Sequence, residues 1–503
     1  MERTPAMMGK QASQEAKLFY YDICLERRIP PNHLLRKIKD ILDFDFVYPL
    51  VKDCYGNNGN VSVPPPVIMK MMLLLFLYDV RSEREFMDTI PLRLDWLWFL
   101  GYDLDDEIPN HSVLSKARAR WGTDIFESLF IQTVAQCVKA GLVNGRKIHV
   151  DGSLIDANAS NNAVIRGPEE LIAQLKDTLD GEISKLDQPV NETTGAIKRY
   201  HRKNKKLLNT TDPDAAIVRK GSLSPRARFK AHRVVDDQCG VITATETTSG
   251  DVEENTPLMD LIDQHEENTA QQLETVVADK QYGTADNFRK CHERGIRSHM
   301  GDLIEAHEQR ASSREIFGRE AFIYDPKADT YTCPAGQLMT RRKHKKQRKA
   351  YEYACSKATC RACHLRAQCT RAKGGFARTL KRHYNQEAID QARAQSHSRA
   401  AVRDRIRRRW LMEGSFANAT VHHGFKRSRW RRLWRQRIQD FLIAAVQNLR
   451  LLARKAVSPK AAMACSAAIY RVSCCKYAYV ALCKRALGPV MHFEGNLIDA
   501  SSK

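Results

Sequence analysis

The chain has 503 residues, of which 43% are hydrophobic and 28% charged, with 25 Gly, 18 Pro and 14 Cys. This composition is typical of a globular protein and excludes a collagen-like, disulfide-framed or disordered chain, while the length predicts two to four domains of roughly 100 to 200 residues each. The formal net charge of +22 favours a polyanionic partner.

The positive charge is concentrated in one segment of the chain. Residues 341–437 contain 29 Lys and Arg against five acidic residues, a net charge of +24, so the remainder is about neutral. Such a confined excess is typical of a surface that binds the phosphates of nucleic acid.

No signal peptide or membrane-spanning segment is predicted. The amino terminus lacks an apolar run, and the most apolar early stretch, residues 71–77, lies between Lys70 and Asp79. We therefore expect a cytoplasmic protein with no membrane partner.

The first 140 residues are predicted to form a helical domain. Apolar residues recur at helical spacing from Val67 to Tyr78 and again from Ile125 to Val134. A helix-capping segment at residues 110–112 precedes basic residues at 116–120, so this domain is a candidate for DNA contact.

Residues 141–300 alternate between strand and helix patterns. The predicted elements are a strand at 147–150, a hairpin of strands at 229–235 and 241–247, a helix at 251–269, a strand at 275–279, a helix at 284–294 and a strand at 296–299. This chain order predicts a ribonuclease-H-like α/β core, a mixed sheet with flanking helices. Residues 161–225 have no sustained period beyond a short helix at 169–186, and we interpret them as an insertion.

Three more regions complete the predicted organisation. Residues 301–385 are a Cys-rich, basic insertion, and residues 386–455 form the helical carboxyl-terminal part of the same core. The last helix has an apolar stripe from Trp434 to Leu452, which core packing explains. The tail, residues 456–503, has no functional interpretation.

Three acidic residues are candidates for phosphodiester chemistry. Asp151 and Asp279 each end a predicted strand, and ligands gather at the carboxyl ends of neighbouring parallel strands. Glu413 lies on a predicted helix, four residues after Arg409 on the same face. Two divalent cations held by such carboxylates can activate a nucleophile and stabilise the charge on the leaving oxygen. Singly, each acid is more often a turn residue or a surface ion pair.

Asp156 is the main alternative to Asp151. A strand that ends at Val150 leaves Asp156 in the following loop, farther from the end of the sheet. We therefore assign the first carboxylate to Asp151.

A cysteine cluster in the insertion is a candidate zinc site. Only one CxxC is present, and tetrahedral zinc is commonly held by two close pairs of thiolates. The predicted ligands are Cys333, Cys360, Cys363 and Cys369. Cys355 is then spare, and His344 and His364 are competitors. Such a zinc ion would be structural, and the alternative is a group of reduced structural thiols.

The basic run from Lys426 to Arg437 interleaves arginines with Trp430 and Trp434. This combination is suited to phosphate contact and base stacking, although the two Trp side chains can instead pack in the core. We expect Trp434 to lie on the apolar stripe while the basic side chains face DNA. The predicted DNA-binding residues are Arg409, Lys426, Arg427, Arg429, Arg431, Arg432 and Arg435.

Several motifs together resemble a known family. They are the run Arg81 to Arg84, the segment from Phe99-Leu100-Gly101 to Pro109-Asn110-His111-Ser112, HVDGSLIDANAS at His149 to Ser160, TDPDA at Thr211 to Ala215, ADKQYG at Ala278 to Gly283 and RRRWLMEGSF at Arg407 to Phe416. On these motifs the chain resembles the DDE transposases of bacterial insertion sequences, in the subgroup with a helical amino-terminal domain and a cysteine-bearing insertion. The likeness extends over most of residues 30–453.

The resemblance implies an enzyme that cuts DNA at the ends of its own element and joins them to target DNA. It implies two Mg²⁺ or Mn²⁺ ions per active site, with Asp151 binding both, Asp279 one and Glu413 the other. Water attacks the phosphodiester first, and the freed 3′ hydroxyl then attacks a target phosphate in line. The resemblance also places cysteines at the four predicted zinc positions.

The implied partner is double-stranded DNA, as the inverted-repeat ends of the element and as target. We expect a homodimer or higher oligomer in the DNA complex, because two ends must be held together, and we expect the protein to be nucleoid-associated when bound.

The chain departs from the family pattern at two positions. Relatives often have a Tyr and a Lys where this chain has Ile406 and Thr420, and Lys426 and Arg427 are candidates to replace the phosphate contacts of those residues. Two alternatives therefore stand beside the transposase: a DNA-binding relic with weakened or lost catalysis, and a nuclease that cuts without joining. A zinc-dependent RNA-binding module would explain the cysteines and arginines but not the three acids.

Overall fold

The computed structural model describes residues 24–56, 61–186, 200, 204–222, 224–301, 315–346, 349–372 and 375–455. The chain divides into two units, residues 1–454 and 455–503. The predicted tail, residues 456–503, lies outside the described residues.

The amino-terminal region is helical, as the sequence predicts. Its helices are α1 (Leu25–Arg28), α2 (Leu34–Ile41), α3 (Val47–Val51), α4 (Pro65–Leu77), α5 (Glu83–Thr89), α6 (Leu94–Leu100), α7 (Ser112–Trp121) and α8 (Asp124–Lys139). Helix α4 is buried along its whole length because it is apolar on nearly every side. It starts at Pro65, since proline at the first helical position loses no hydrogen bond.

A mixed sheet follows, with helices beside it. Its region contains β1 (Lys147–Asp156), β2 (Val164–Arg166), α9 (Glu169–Leu186), β3 (Leu207–Asn209), β4 (Ala216–Val218), β5 (Arg226–Asp236), β6 (Ile242–Ser249), α10 (Leu258–Thr269), β7 (Thr275–Ala278), α11 (Ala285–Glu293) and β8 (Arg297–Met300). The strands lie in the order β6, β5, β1, β7, β8, and β4 also pairs with β5. Pairing is antiparallel from β6 to β1 and parallel from β1 to β8. The predicted mixed α/β fold with a helical amino-terminal region is therefore confirmed.

Strand β1 is longer than the sequence predicts. Its pairing with β5 continues to Asp156, whereas its pairing with β7 stops at Val150. The prediction that the strand ends at Val150 was wrong, because β5 continues to pair with β1 as far as Asp156. Asp156 is thus the last strand residue, and its carboxylate is paired with Arg228 at 2.7 Å and Arg226 at 3.2 Å.

Helix α10 is shorter than predicted, because it begins only after Pro257. Residues 251–257 form a loop instead.

A second, antiparallel sheet and the last helices complete the described chain. The elements are β9 (Ile323–Asp325), β10 (Thr330–Thr332), β11 (Leu338–Lys345), β12 (Ala350–Ala354), α12 (Lys357–Arg361), α13 (Arg366–Cys369), β13 (Leu380–His383), α14 (Gln386–Ser396), α15 (Arg399–His423) and α16 (Leu433–Lys455). The second sheet has its own small core, which includes Phe322, Tyr331 and Tyr353.

Two larger cores cover the faces of the mixed sheet. One lies between the sheet and α10, α11 and α14, and includes Val150, Leu261 and Phe288. The other joins the amino-terminal helices to α15 and α16, and Phe130 and Phe441 stack there with ring centroids 5.9 Å apart. Among the described helices, none has the length and hydropathy needed to cross a membrane.

Candidate active site

Asp151 and Asp279 lie at one edge of the mixed sheet, on neighbouring parallel strands. The last registered pair of β1 and β7 is Val150 with Ala278, so each acid is the next residue after that pair. Neighbouring strands are about 4.8 Å apart. The two carboxylates are therefore close, and the charge of Asp279 contributes to raising the pKa of Asp151.

The side chain of Asp151 points to the face covered by α15. Arg408 of that helix donates a hydrogen bond to Asp151 Oδ2 over 2.7 Å. Burial raises the pKa of Asp151, and the positive charge of Arg408 opposes that rise. A half-buried carboxylate is thus balanced by a guanidinium on an adjacent helix.

Asp279 begins a single turn of 3₁₀ helix, Lys280–Tyr282, and its carboxylate accepts the Lys280 N–H. Gly283 ends this turn against the end of β8. A Cβ atom on residue 283 would lie 2.1 Å from the carbonyl oxygen of Gly301. Only glycine fits this close approach of two backbones, which fixes the turn that positions Asp279.

A third acid, Glu254, approaches the same edge from the loop before α10. Its Cγ is 3.4 Å from the position of a Cβ built on Gly152. Burial raises the pKa of Glu254, Lys230 lowers it, and Asp151 and Asp279 raise it further. We call these three acids, Asp151, Asp279 and Glu254, the acidic edge.

The sequence contains a signal for Glu254 that periodicity alone did not reveal. Strand β6 is antiparallel to β5, which is antiparallel to β1, so β6 and β1 run in the same direction. The carboxyl end of β6 therefore opens at the same end of the sheet as Asp151. Acidic residues follow it at positions 251, 253 and 254.

Glu413 is not beside the two aspartates. Its side chain is exposed on α15 and makes no ion pair with the described residues. At 3.6 residues per turn, it points about 140° away from Arg408, the α15 residue that contacts Asp151. The structure therefore brings together Asp151 and Asp279, and the assignment of Glu413 stays a prediction.

The acidic edge has the donor set that a hard divalent cation requires. Carboxylate oxygens suit Mg²⁺ and Mn²⁺. Nearby, three buried polar atoms have no hydrogen-bond partner within the described part of the chain: Tyr282 Oη, His232 Nδ1 and Arg408 Nε. In the parts of the chain that the structure describes, no three His, Cys, Asp or Glu side chains are already gathered as metal ligands. Arg408 is hydrogen-bonded to one carboxylate oxygen of Asp151, Oδ2, in this arrangement.

A groove with a volume of about 620 Å³ borders the acidic edge. Its walls include Arg219, Lys230, Glu254 and Gln281. Its lining carries two cations, Arg219 and Lys230, and three carboxylates, Asp251, Glu253 and Glu254.

Four of the predicted DNA-binding residues are exposed: Arg409, Lys426, Arg427 and Arg431. Lys426 Nζ donates a hydrogen bond to Ser153 Oγ, two residues beyond Asp151 on the same face of β1. The segment after α15 also pairs with the end of β1, through Lys426 O and the Asp156 N–H. Basic side chains therefore lie next to the acidic edge.

The other predicted DNA-binding residues are engaged within the protein. Arg429 pairs with Asp79 at 2.8 Å and lies over Phe76, and Arg432 pairs with Asp180 at 2.7 Å. The guanidinium of Arg435 stacks on Trp434. The ion pairs of Arg429 and Arg432 join distant elements of the fold.

Trp430 packs in the core as well. Its ring contacts Phe76, the guanidinium of Arg118 lies 3.9 Å from its centroid, and its Nε1 donates to Glu83 Oε1. Glu83 also pairs with Arg118 at 2.6 Å. The Arg81 to Arg84 motif thus fastens the amino-terminal helices to the segment before α16.

The TDPDA motif has a similar structural role. Asp212 accepts the Arg432 N–H and Asp214 accepts the Leu433 N–H, each over 3.1 Å. Carboxylates at the first turn of a helix satisfy its free N–H groups and interact favourably with its dipole. The motif therefore anchors the start of α16.

The five cysteines of the insertion line one cavity of about 30 Å³. They are Cys333, Cys355, Cys360, Cys363 and Cys369, which we call the cysteine cavity. Burial raises the pKa of Cys355 to about 12, and the neighbouring thiols of Cys360 and Cys333 contribute to the rise. Burial also raises the pKa of Cys369. Cys355, which the sequence analysis set aside, thus lies among the predicted zinc ligands, and the thiol donor set fits zinc.

Comparison with known protein families gives two matches. Residues 23–120 match the family described as Transposase domain (DUF772), and residues 332–453 match the family described as Transposase DDE domain. No curated protein matches the chain. Both matched segments point to the same class, that of transposases with a DDE domain, and the acidic edge lies on the sheet between them. The chain belongs to the insertion-sequence transposase family, as its motifs indicate.

Proposed function

We propose that the protein cuts DNA at the ends of its insertion sequence and transfers the freed 3′ ends to target DNA. The observation that carries this proposal is the meeting of Asp151 and Asp279 at the carboxyl edge of adjacent parallel strands, in a chain of this family. The strand order β6, β5, β1, β7, β8, antiparallel and then parallel, supports a ribonuclease-H-like core.

Mg²⁺ or Mn²⁺, as two ions per site, would supply Lewis acidity and lower the pKa of the attacking group. Asp151 and Asp279 would hold the ions, with Glu413 as the further acid. Glu413 lies about 7.5 Å farther along α15 than Arg408, at 1.5 Å per residue. Its participation therefore requires α15 to shift against the sheet, which would also withdraw Arg408 from Asp151.

The exposed basic residues would position DNA. Lys426 already contacts Ser153 beside the acidic edge, and Arg409, Arg427 and Arg431 are exposed in the surrounding segments. Their contacts with phosphates would set affinity and make it sensitive to salt. Because Arg429 and Arg432 are engaged in ion pairs, we assign them to the fold and not to the DNA contact.

We assign the parts of the chain as follows. Residues 1–140 form the helical domain; residues 141–300 and 386–455 form the catalytic core, with an insertion at about 161–225; and residues 301–385 form the Cys-rich insertion. The last would hold one structural zinc ion through Cys333, Cys360, Cys363 and Cys369.

Assembly into a dimer or higher oligomer on DNA is part of the proposal. Val402, Ile406 and Trp410 recur every four residues along α15 and are exposed, Trp410 by 79%. Exposed apolar surface of this kind is often covered by a partner. It adjoins Arg409 and Glu413, so the covering surface would lie next to the reacting DNA.

The decisive experiment measures end cleavage and strand transfer on the DNA that flanks the coding sequence, in Mg²⁺. Wild type is compared with Asp279→Ala at equal DNA occupancy. We expect cleaved and joined products that require both the metal and Asp279. Cleavage without joining would support the nuclease, and binding without products from either protein would support the relic.

A further inference from the structure

We propose that Glu254 supplies a further carboxylate to the divalent-cation site of Asp151 and Asp279. This inference rests on the proposed function, because it concerns the same site. It adds an acid from the opposite face of the sheet, in a loop that neither matched family segment includes.

Within the described residues, β1 has an edge without a paired strand beyond the end of β7, and we call this place the opening. Strand β7 pairs with β1 only as far as Val150, and the segment after α15 rejoins β1 only at Asp156. Between these contacts, residues 152–155 of β1 have β5 on one side and, among the strands that the structure describes, none on the other. A cation at the opening is accessible to carboxylates from both faces.

The two faces contribute different groups. Asp151 points toward α15, where it contacts Arg408. Gly152 points to the opposite face, because successive strand residues alternate. Glu254 lies on that face, with its Cγ 3.4 Å from where the Gly152 Cβ would be. A Cβ at residue 152 would be in ordinary van der Waals contact with Glu254, so Glu254 lies against the backbone next to Asp151.

A second, independent observation points to a ligand at this place. Tyr282 is completely buried, and its hydroxyl has no hydrogen-bond partner among the described residues. The carboxylate of Glu254 has the largest electrostatic effect on this hydroxyl, followed by that of Asp151. Buried hydroxyl groups in folded proteins are normally paired, so an orphaned one facing carboxylates indicates a missing polar partner.

His232 gives the same indication from β5. Its Nε2 contacts Thr248 Oγ1, whereas its buried Nδ1 has no partner and is 3.4 Å from the Gly152 Cβ position. Burial, followed by the charge of Lys230, lowers the pKa of His232 to about 3, so the ring is neutral and available as a hydrogen-bond partner. Two orphaned polar atoms thus face the side of the edge that Glu254 occupies.

The charge balance also favours a bound cation. Three carboxylates at the acidic edge face two nearby cations, Arg408 and Lys230. Lys230 Nζ is 3.9 Å from Glu254 Oε1 and hydrogen-bonds to the carbonyl oxygen of Val252 at 2.7 Å. Lys230 is therefore tied to the loop backbone, and much of the Glu254 carboxylate remains available to an ion.

The experiment is a Mn²⁺ titration of the full-length, zinc-replete protein, in which electron paramagnetic resonance measures the free ion. Wild type is compared with Glu254→Gln, with Glu253→Gln as the matched control at the adjacent exposed acid, and with Asp279→Asn as the reference for the site. We expect Glu254→Gln to raise the Kd for Mn²⁺ by at least about tenfold, as loss of groups around a metal does. Glu253→Gln should change it by less than about twofold.

A second readout is the Mn²⁺ concentration that gives half-maximal end cleavage. It should rise in Glu254→Gln by the same factor as the Kd, while thermal unfolding measured without metal stays close to that of the wild type. If Glu254→Gln folds poorly, Glu254→Asp replaces it, since the shorter carboxylate should weaken Mn²⁺ binding without removing the charge.

The outcomes separate the two proposals. If Glu254→Gln binds Mn²⁺ as tightly as the wild type while Asp279→Asn binds it weakly, the role of Glu254 is overturned and the proposed function stays intact. If both variants bind Mn²⁺ as tightly as the wild type, both the role of Glu254 and the cation site on which the proposed function depends are overturned.

Discussion

The acidic edge and the cysteine cavity are two candidate metal sites in one chain, and their present partners differ. At the acidic edge the carboxylates lie beside cations, with Arg408 on Asp151 and Lys230 near Glu254. In the cysteine cavity the thiols contact one another, and burial raises the pKa of Cys355 to about 12. A metal ion must displace positive side chains at the first site and protons at the second.

Because of this difference, the two sites should bind a metal ion under different conditions. A site that exchanges side-chain cations for a metal ion can open and close with movement of the helix that carries the arginine. A site that exchanges protons for zinc binds strongly once its thiols are deprotonated, and the bound ion then stabilises the fold around it. The first arrangement suits a reaction site and the second a structural one.

The largest expected effect tests whether the two sites are functionally separate. Asp151→Asn should lower the rate of end cleavage by more than about 100-fold, because it removes an acid that would hold the ions. Its zinc content, measured by inductively coupled plasma mass spectrometry, should equal that of the wild type. Cys360→Ser is the converse variant, and we expect it to lose zinc while its Kd for Mn²⁺ changes by less than about twofold.

The pH dependence of binding should differ between the sites. Each thiol that binds zinc while its pKa lies above the working pH releases one proton, so zinc affinity should rise about tenfold per pH unit for each such thiol. Between pH 6 and 8 we expect the zinc affinity, measured by competition titration, to rise by at least about 100-fold per pH unit. Binding at the acidic edge displaces Arg408 from Asp151 and not a set of thiol protons, so Mn²⁺ affinity should rise by less than about tenfold per pH unit. If the zinc and Mn²⁺ affinities changed equally with pH, the proposed difference between the two sites would be contradicted.

A smaller effect concerns the cation that blocks the acidic edge. Arg408→Gln removes the guanidinium from Asp151 and should lower the Kd for Mn²⁺ by about three- to tenfold at pH 8, because the ion no longer competes with a positive side chain. Calorimetric titration measures this change, and Arg409→Gln, on the exposed side of α15, is the control. Unchanged or weaker binding in Arg408→Gln alone would show that the arginine does not compete with the ion.

The sequence predicts the elements of the mixed sheet because their patterns are local. The hairpin β5–β6 is marked by its polar turn, and Asp151 and Asp279 follow from their places beside short apolar runs. Glu254 could not be assigned in this way, since its place depends on two successive strand pairings. The length of β1 was also underestimated, because its last residues are held by a partner 70 or more residues away in the chain.

The basic segment shows the same limit of prediction from the sequence. Charge density predicts a surface for nucleic acid, but it does not distinguish exposed arginines from those in ion pairs. Arg429 and Arg432 find their carboxylates at Asp79 and Asp180, hundreds of residues earlier in the chain. Such pairings arise from packing of distant elements, so neither spacing nor composition indicates them.

The central claim, that a divalent cation at the acidic edge acts on the cleaved phosphate, is tested most directly by sulfur substitution. End DNA is prepared with each diastereomeric phosphorothioate at the cleavage site, and wild-type cleavage rates are compared in Mg²⁺ and Mn²⁺. Because Mg²⁺ strongly prefers oxygen to sulfur and Mn²⁺ is more tolerant, one diastereomer should be cleaved slowly in Mg²⁺ and recover in Mn²⁺. Equal sulfur effects in both metals, for both diastereomers, would contradict the account.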